Sequence, residues 1–152
     1  MAAALVSKQP FDATHPDALA VYCSDGRFTH AVEELLDSIG HARLDTMTLP
    51  GGPALFELTT ADFAGLEAMR TAATFLVRGH GIKHVVLLAH EGCGYYRTRN
   101  PGAEPGSIRE KQVDDLRGAA RWLHGAMPQL DIRLYYARIV KKTHVAFHLV
   151  EG

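Results

Sequence analysis

Cysteine is scarce in this chain: 152 residues include only Cys23 and Cys93. Two thiols cannot build a disulfide framework, so in a reducing compartment they are free, catalytic or metal-bound. Long hydrophobic runs are also missing, and even Val85-Val86-Leu87-Leu88-Ala89 is far too short to span a bilayer. Neither sign of charge dominates, with 16 Lys plus Arg against 17 Asp plus Glu. That balance excludes a protein that grips nucleic acid or an anionic membrane through bulk charge. The opening Met1-Ala2-Ala3-Ala4-Leu5-Val6 has neither the basic start nor the apolar length of an export signal, so a cytoplasmic protein is expected. There is no repeat at solenoid or propeller periods and no low-complexity linker.

What is present is an ordinary globular composition, 47% hydrophobic and 22% charged, with an unusual nine histidines. The length suits one domain over residues 1–152. Ala18 to Tyr22 is nearly all apolar, as in a strand buried on both faces, and runs into Cys23-Ser24-Asp25-Gly26-Arg27. Phe28, Val32, Leu35, Leu36 and Ile39 then share one helical face, stopped by Gly40. Arg43 to Leu49 forms a short strand closed by Pro50-Gly51-Gly52-Pro53, which lacks the spaced glycines and lysine of a phosphate loop and reads as a tight turn. A helix over about residues 61–78 turns Phe63, Leu66, Met69, Ala73, Leu76 and Val77 inward, with Gly79 and Gly81 ending it.

Lys83 to Ala89 is the clearest buried strand, and it leads into His90-Glu91-Gly92-Cys93-Gly94. Asn100 to Gly106 reads as one exposed loop, and Ser107-Ile108-Arg109-Glu110 as a capping box opening a helix with Val113, Leu116, Ala120 and Leu123 inward. Ile132 to Ile139 and Val145 to Val150 flank Lys141-Lys142-Thr143 as a terminal hairpin. Alternating strands and helices predict an α/β fold: a mainly parallel sheet with flanking helices and a C-terminal antiparallel edge hairpin. In such sheets ligands bind beyond the carboxyl ends of the strands, where strand order reverses. Both cysteine motifs lie at that end of their strands.

If those strands are neighbours, Cys23, His90 and Cys93 converge. Two thiolates and an imidazole suit zinc and leave a fourth position for water or a carboxylate, with Asp25 the obvious candidate as an added metal ligand. Cys23-Ser24-Asp25-Gly26-Arg27 followed by His90-x-x-Cys93-Gly94 resembles the zinc signature of the β-class carbonic anhydrases. The resemblance extends from about Leu19 to Glu151. It implies that Cys23, His90 and Cys93 bind Zn2+, and that Asp25 and Arg27 form a catalytic dyad. The implied reaction is reversible hydration of carbon dioxide to bicarbonate, in a homodimer or dimer-based oligomer.

The chain departs from that pattern in having Leu49-Pro50-Gly51-Gly52-Pro53 where the family has an Arg-Asn-Ala-Gly type segment. Its N-terminal arm is cut to about 17 residues, in which Gln9 is similar in type to a glutamine of the family's substrate pocket. Phe28, Leu55 and Phe56 are the apolar candidates for contact with a second subunit. Three rival readings are a reversible redox pair of Cys23 and Cys93, a non-catalytic zinc domain, and a carbonyl sulfide or carbon disulfide hydrolase on the same site. Tyr95 and Tyr96 are expected as core or interface aromatics. The remaining histidines are expected as solvent-facing or hydrogen-bonded residues.

Overall fold

The computed structural model describes residues 3–152, so Met1 and Ala2 of the opening hexapeptide lie outside the described residues. Its centre is a five-stranded sheet in the order β2-β1-β3-β4-β5. The strands are β1 (Ala18–Cys23), β2 (Asp45–Leu49), β3 (His84–His90), β4 (Asp131–Val140) and β5 (His144–Val150). β1 to β4 run parallel to one another, and β5 pairs antiparallel with β4, setting Ala137 opposite Phe147.

The apolar runs of β1 and β3 follow from burial on both sheet faces. Leu19, Val21, Val85, Leu87 and Ala89 face one layer, with Phe56, Met69, Leu116 and Leu123. Ala20, Val86 and Leu88 face the other, against Phe28, Val32 and Leu36. The first layer is built from α2 (Phe63–His80) and α4 (Pro105–Ala126), and the second from α1 (Thr29–Ser38). Among the described residues no helix is long and apolar enough to cross a membrane.

The chain leaves β1 toward β2 on one side and returns past β1 to β3 on the other. Strand order therefore reverses between β1 and β3, where an open α/β sheet leaves its crevice. Val21 is in register with Leu87, so Cys23 lies level with Ala89, one residue short of His90.

Several boundaries differ from the sequence expectation. Gly79 lies within α2, and Gly81 alone ends it, in the left-handed conformation at φ 74°. Phe63, expected inward, is exposed because it opens α2 before the apolar stripe reaches the core. Ser107 caps nothing: α4 begins at Pro105, whose fixed φ and missing N–H cost nothing at the first helical position. A further helix, α3 (Gly94–Arg99), lies where the sequence suggests no element, and Gly52–Phe56 forms a 3₁₀ helix. Phe28 and Phe56 are buried within this chain and cannot serve as subunit contacts, whereas Leu55 is partly buried.

Candidate metal centre

Cys23 ends β1, His90 ends β3, and Cys93 stands at the N-cap of α3, so three backbone termini aim side chains at the crevice. One ligand atom from each lies within 4.8 Å of the others, and all three residues are buried. The sulfurs are 3.8 Å apart. Two sulfurs on a tetrahedral zinc, each about 2.3 Å from the metal, are separated by about 3.8 Å. The separation thus matches two thiolates on one ion and is far beyond a disulfide bond of about 2.05 Å.

His90 is set up as a ligand through its other nitrogen. Its Nδ1 lies 2.9 Å from the Glu91 carbonyl, which only an Nδ1–H can satisfy, so the Nε2 lone pair is free. That Nε2 is buried and has no hydrogen-bond partner. An orphaned polar atom facing two thiols is costly by itself, and a soft divalent cation resolves it. The Phe28 ring packs on the imidazole at a centroid distance of 4.3 Å and fixes its plane. The donor set, its spacing and the bare nitrogen all fit zinc.

The two thiols share one hydrogen bond and titrate as a pair. Cys23 is held below the ordinary thiol range, first by its bond to Cys93 and further by His90 and the Gly51 N–H. Cys93 keeps the proton and is pushed up by the same bond and by burial.

The glycine pair after β2 reaches under this cluster. Gly51 N–H donates to Cys23 Sγ at 3.4 Å, a bond that favours thiolate. Gly51 sits at φ 84°, and a Cβ there would fall 2.5 Å from the Tyr95 ring. Gly52, at φ 53°, would place one 2.7 Å from the Cys23 nitrogen. The segment is the tight turn expected, continued as a 3₁₀ helix, and only glycine allows its approach.

Asp25 and Arg27 stand at the rim. Arg27 Nε donates to Asp25 Oδ1 at 2.9 Å and Nη2 donates to Oδ2 at 2.6 Å, a bidentate clamp. The Arg27 backbone N–H adds a third bond to Oδ1 at 3.1 Å. The Arg27 hydrogen bond, above all, holds the Asp25 carboxyl down to about 2. The carboxylate is thus engaged by Arg27 and is not among the groups gathered around the sulfurs. Gln9 is exposed, and its backbone bonds go to Ser7.

Two supporting groups escaped the sequence reading. Gln112 Nε2 donates to the His90 carbonyl at 2.8 Å, and its Oε1 accepts from Tyr136 Oη at 3.1 Å. Asp115 accepts from Tyr96 Oη at 2.6 Å and Thr60 Oγ1 at 2.7 Å, tethering α3 behind Cys93. The signal was available: both are polar residues on the inward stripe of α4, with Gln112 four residues before Leu116. Tyr96 is buried as expected, and Tyr95 half-buried. Among the other histidines, His80 pairs with Asp45 and His84 with Asp131, at the opposite ends of the strands.

A family model described as "Putative carbonic anhydrase" matches residues 13–147. Among solved structures the chain is similar to β-carbonic anhydrase isoform I of Trichomonas vaginalis, with TM-score 0.58 and 14% identity over 97% of this chain and 90% of that one. It is also similar to a tetrameric β-carbonic anhydrase of Sordaria macrospora, with TM-score 0.55 and 12% identity over 89% and 81%. The β-carbonic anhydrase CafD of Aspergillus fumigatus gives TM-score 0.54 and 13% identity over 92% and 90%. Identities this low establish the shared fold. No curated protein matches the chain.

Proposed function

We propose, on the premise that this chain belongs to the carbonic anhydrase family whose model spans residues 13–147, that it hydrates carbon dioxide reversibly to bicarbonate with a zinc ion. Cys23, His90 and Cys93 would hold the metal in a single α/β domain over residues 1–152. The observation that carries this reading is the unpartnered, buried His90 Nε2 facing two sulfurs 3.8 Å apart. What zinc supplies is a water acidified toward neutrality, the nucleophile that carbon dioxide hydration requires.

The remaining work falls to the chain. Asp25, kept ionised by Arg27, offers only acceptor oxygens, so it takes a hydrogen bond from the attacking water and aims a lone pair at the substrate carbon. Arg27 fixes that carboxylate beside the Cys23-His90-Cys93 cluster; without the clamp, Asp25 would be a fourth residue able to hold the metal. Gly51 N–H steadies the Cys23 thiolate, and the Phe28 ring limits water around His90. Two thiolates that must stay reduced agree with a cytoplasmic location. We place the active form in a homodimer or dimer-based oligomer, in keeping with the tetrameric Sordaria macrospora relative.

The test is stopped-flow hydration of carbon dioxide measured beside hydrolysis of carbonyl sulfide on the zinc-loaded protein. Faster hydration supports the reading. Faster sulfide hydrolysis assigns the site to the other substrate, and no turnover of either leaves a non-catalytic zinc domain.

A further inference from the structure

Beside the metal cluster, the ends of β3 and β4 together with α3 and the start of α4 enclose a cavity of about 580 Å³. Sites for small organic ligands span roughly 300–1,000 Å³. Three guanidinium groups line this one: Arg97 from α3, Arg109 from α4 and Arg138 from β4. Among the described residues none of the three is ion-paired with a carboxylate. The only acid in the wall is Glu91, and its Oε2 already accepts the Ile139 N–H at 2.9 Å. Three positive charges therefore face one negative charge.

The backbone adds to the same sign. Pro105 and Gly106, which open the 22-residue α4, line the cavity, and no side chain caps that helix terminus. No acid lies in its first turn. The Gly106 N–H and the positive end of the helix dipole thus reach the cavity wall, since Pro105 has no N–H and that of Ile108 is bonded to the Glu104 carbonyl. Arg109 is braced with its guanidinium 5.8 Å from the centroid of the Tyr136 ring. The floor has its own partners, since Tyr136 and Gln112 bond to one another. Ile108 and Pro105 supply an apolar side.

We propose that this cavity binds a phosphorylated small organic molecule, at a site separate from the Cys23-His90-Cys93 cluster. A phosphate monoester carries close to two negative charges, equal to the excess on the wall, and presents oxygens to forked guanidiniums and the Gly106 N–H together. A single carboxylate balances only half of that excess. The apolar side takes the organic body, and bicarbonate is far too small to fill the space.

Calorimetric titration of the purified protein with phenyl phosphate, inorganic phosphate and benzoate tests this. One phenyl phosphate per chain should bind, at least about tenfold tighter than benzoate, which shares its ring and has one charge. It should also bind tighter than inorganic phosphate, which has no body for the apolar side. Arg109→Ala and Arg138→Ala should each weaken phenyl phosphate about tenfold or more, while Arg121→Ala, on α4 outside the cavity, should not. If Arg138→Ala disturbs its strand, Arg97→Ala on the short α3 gives the same comparison. No saturable binding at millimolar phenyl phosphate overturns the proposal, and so does equal binding in the arginine variants, which would put the anion elsewhere, including on the metal. Benzoate binding as tightly as phenyl phosphate overturns the phosphate assignment.

Discussion

Cys93 illustrates how much a single residue carries here. It is 1% exposed and supplies one of two sulfurs, and a serine in its place offers a poor zinc ligand in a buried position. Cys93→Ser is expected to lose stoichiometric zinc, with the urea midpoint falling in step, because metal binding and folding are linked. Elemental analysis of that variant checks it; full zinc retention contradicts the ligand assignment. Arg27→Ala behaves differently. With its bidentate partner gone, Asp25 is free to take the metal position. Zinc content is expected to stay near that of the parent while the hydration rate drops about a hundredfold or more. A rate within twofold of the parent would reduce the pair to a rim ion pair. Gly52→Ala forces a side chain at φ 53° against the Cys23 backbone, so a stability loss of about 2 kcal/mol or more is expected in urea denaturation.

At the scale of elements, the hairpin joining β4 and β5 turns through Lys141 and Lys142, both left-handed at φ 49° and 61°. Residues with a Cβ pay roughly 1 kcal/mol each for that conformation, which Asn and Gly adopt readily. Lys141→Asn with Lys142→Gly is expected to stabilise the protein by about 1 kcal/mol, read from the urea midpoint.

A second element-scale prediction concerns the tether between α4 and α3. Burial pushes the Asp115 carboxyl above its ordinary value of 3.8, with Asp114 adding to the rise. Tyr96, Thr60 and Lys111 oppose it, and Glu57 is the other acid nearby. A folded-state value above the unfolded one means the native protein binds the extra proton. Stability from this group is therefore complete below about pH 4 and declines as pH rises through the raised value. Urea denaturation from pH 3 to 7 should show the stability of the parent relative to Asp115→Asn falling over that window. A relative stability that rises instead contradicts the assignment.

These elements also show what a sequence discloses. β1 and β3 were readable because burial on both faces leaves an uninterrupted apolar run, and α1 and α2 because their apolar residues recur every three or four positions. Helix α3 was not, since six residues from Gly94 to Arg99 are too few to display a period. The start of α4 is hidden because Ser107 imitates a cap, whereas the helix begins at Pro105, which needs none. The grouping of Cys23, His90 and Cys93 is legible from residue type and strand-end position, and the Asp25–Arg27 contact from the family resemblance. The Gly51 N–H bond to Cys23 was not, since it depends on left-handed backbone and on β2 lying beside β1.

For the whole molecule, the sheet order brings β1 and β3 together, and at the rim the Arg27 side chain is exposed while that of Asp25 is mostly covered. Light scattering of zinc-loaded, active protein should give at least twice the chain mass of 16.6 kDa at micromolar concentration. A monomer of full activity would remove the second subunit from the site.

The most direct measurement is metal analysis and carbon dioxide hydration on one preparation, titrated with zinc from the metal-free state. One zinc per chain is expected, with hydration rising in proportion to zinc bound and levelling at that single equivalent. Hydration that is independent of zinc content, or a chain that binds no zinc, would contradict a Cys23-His90-Cys93 catalytic centre.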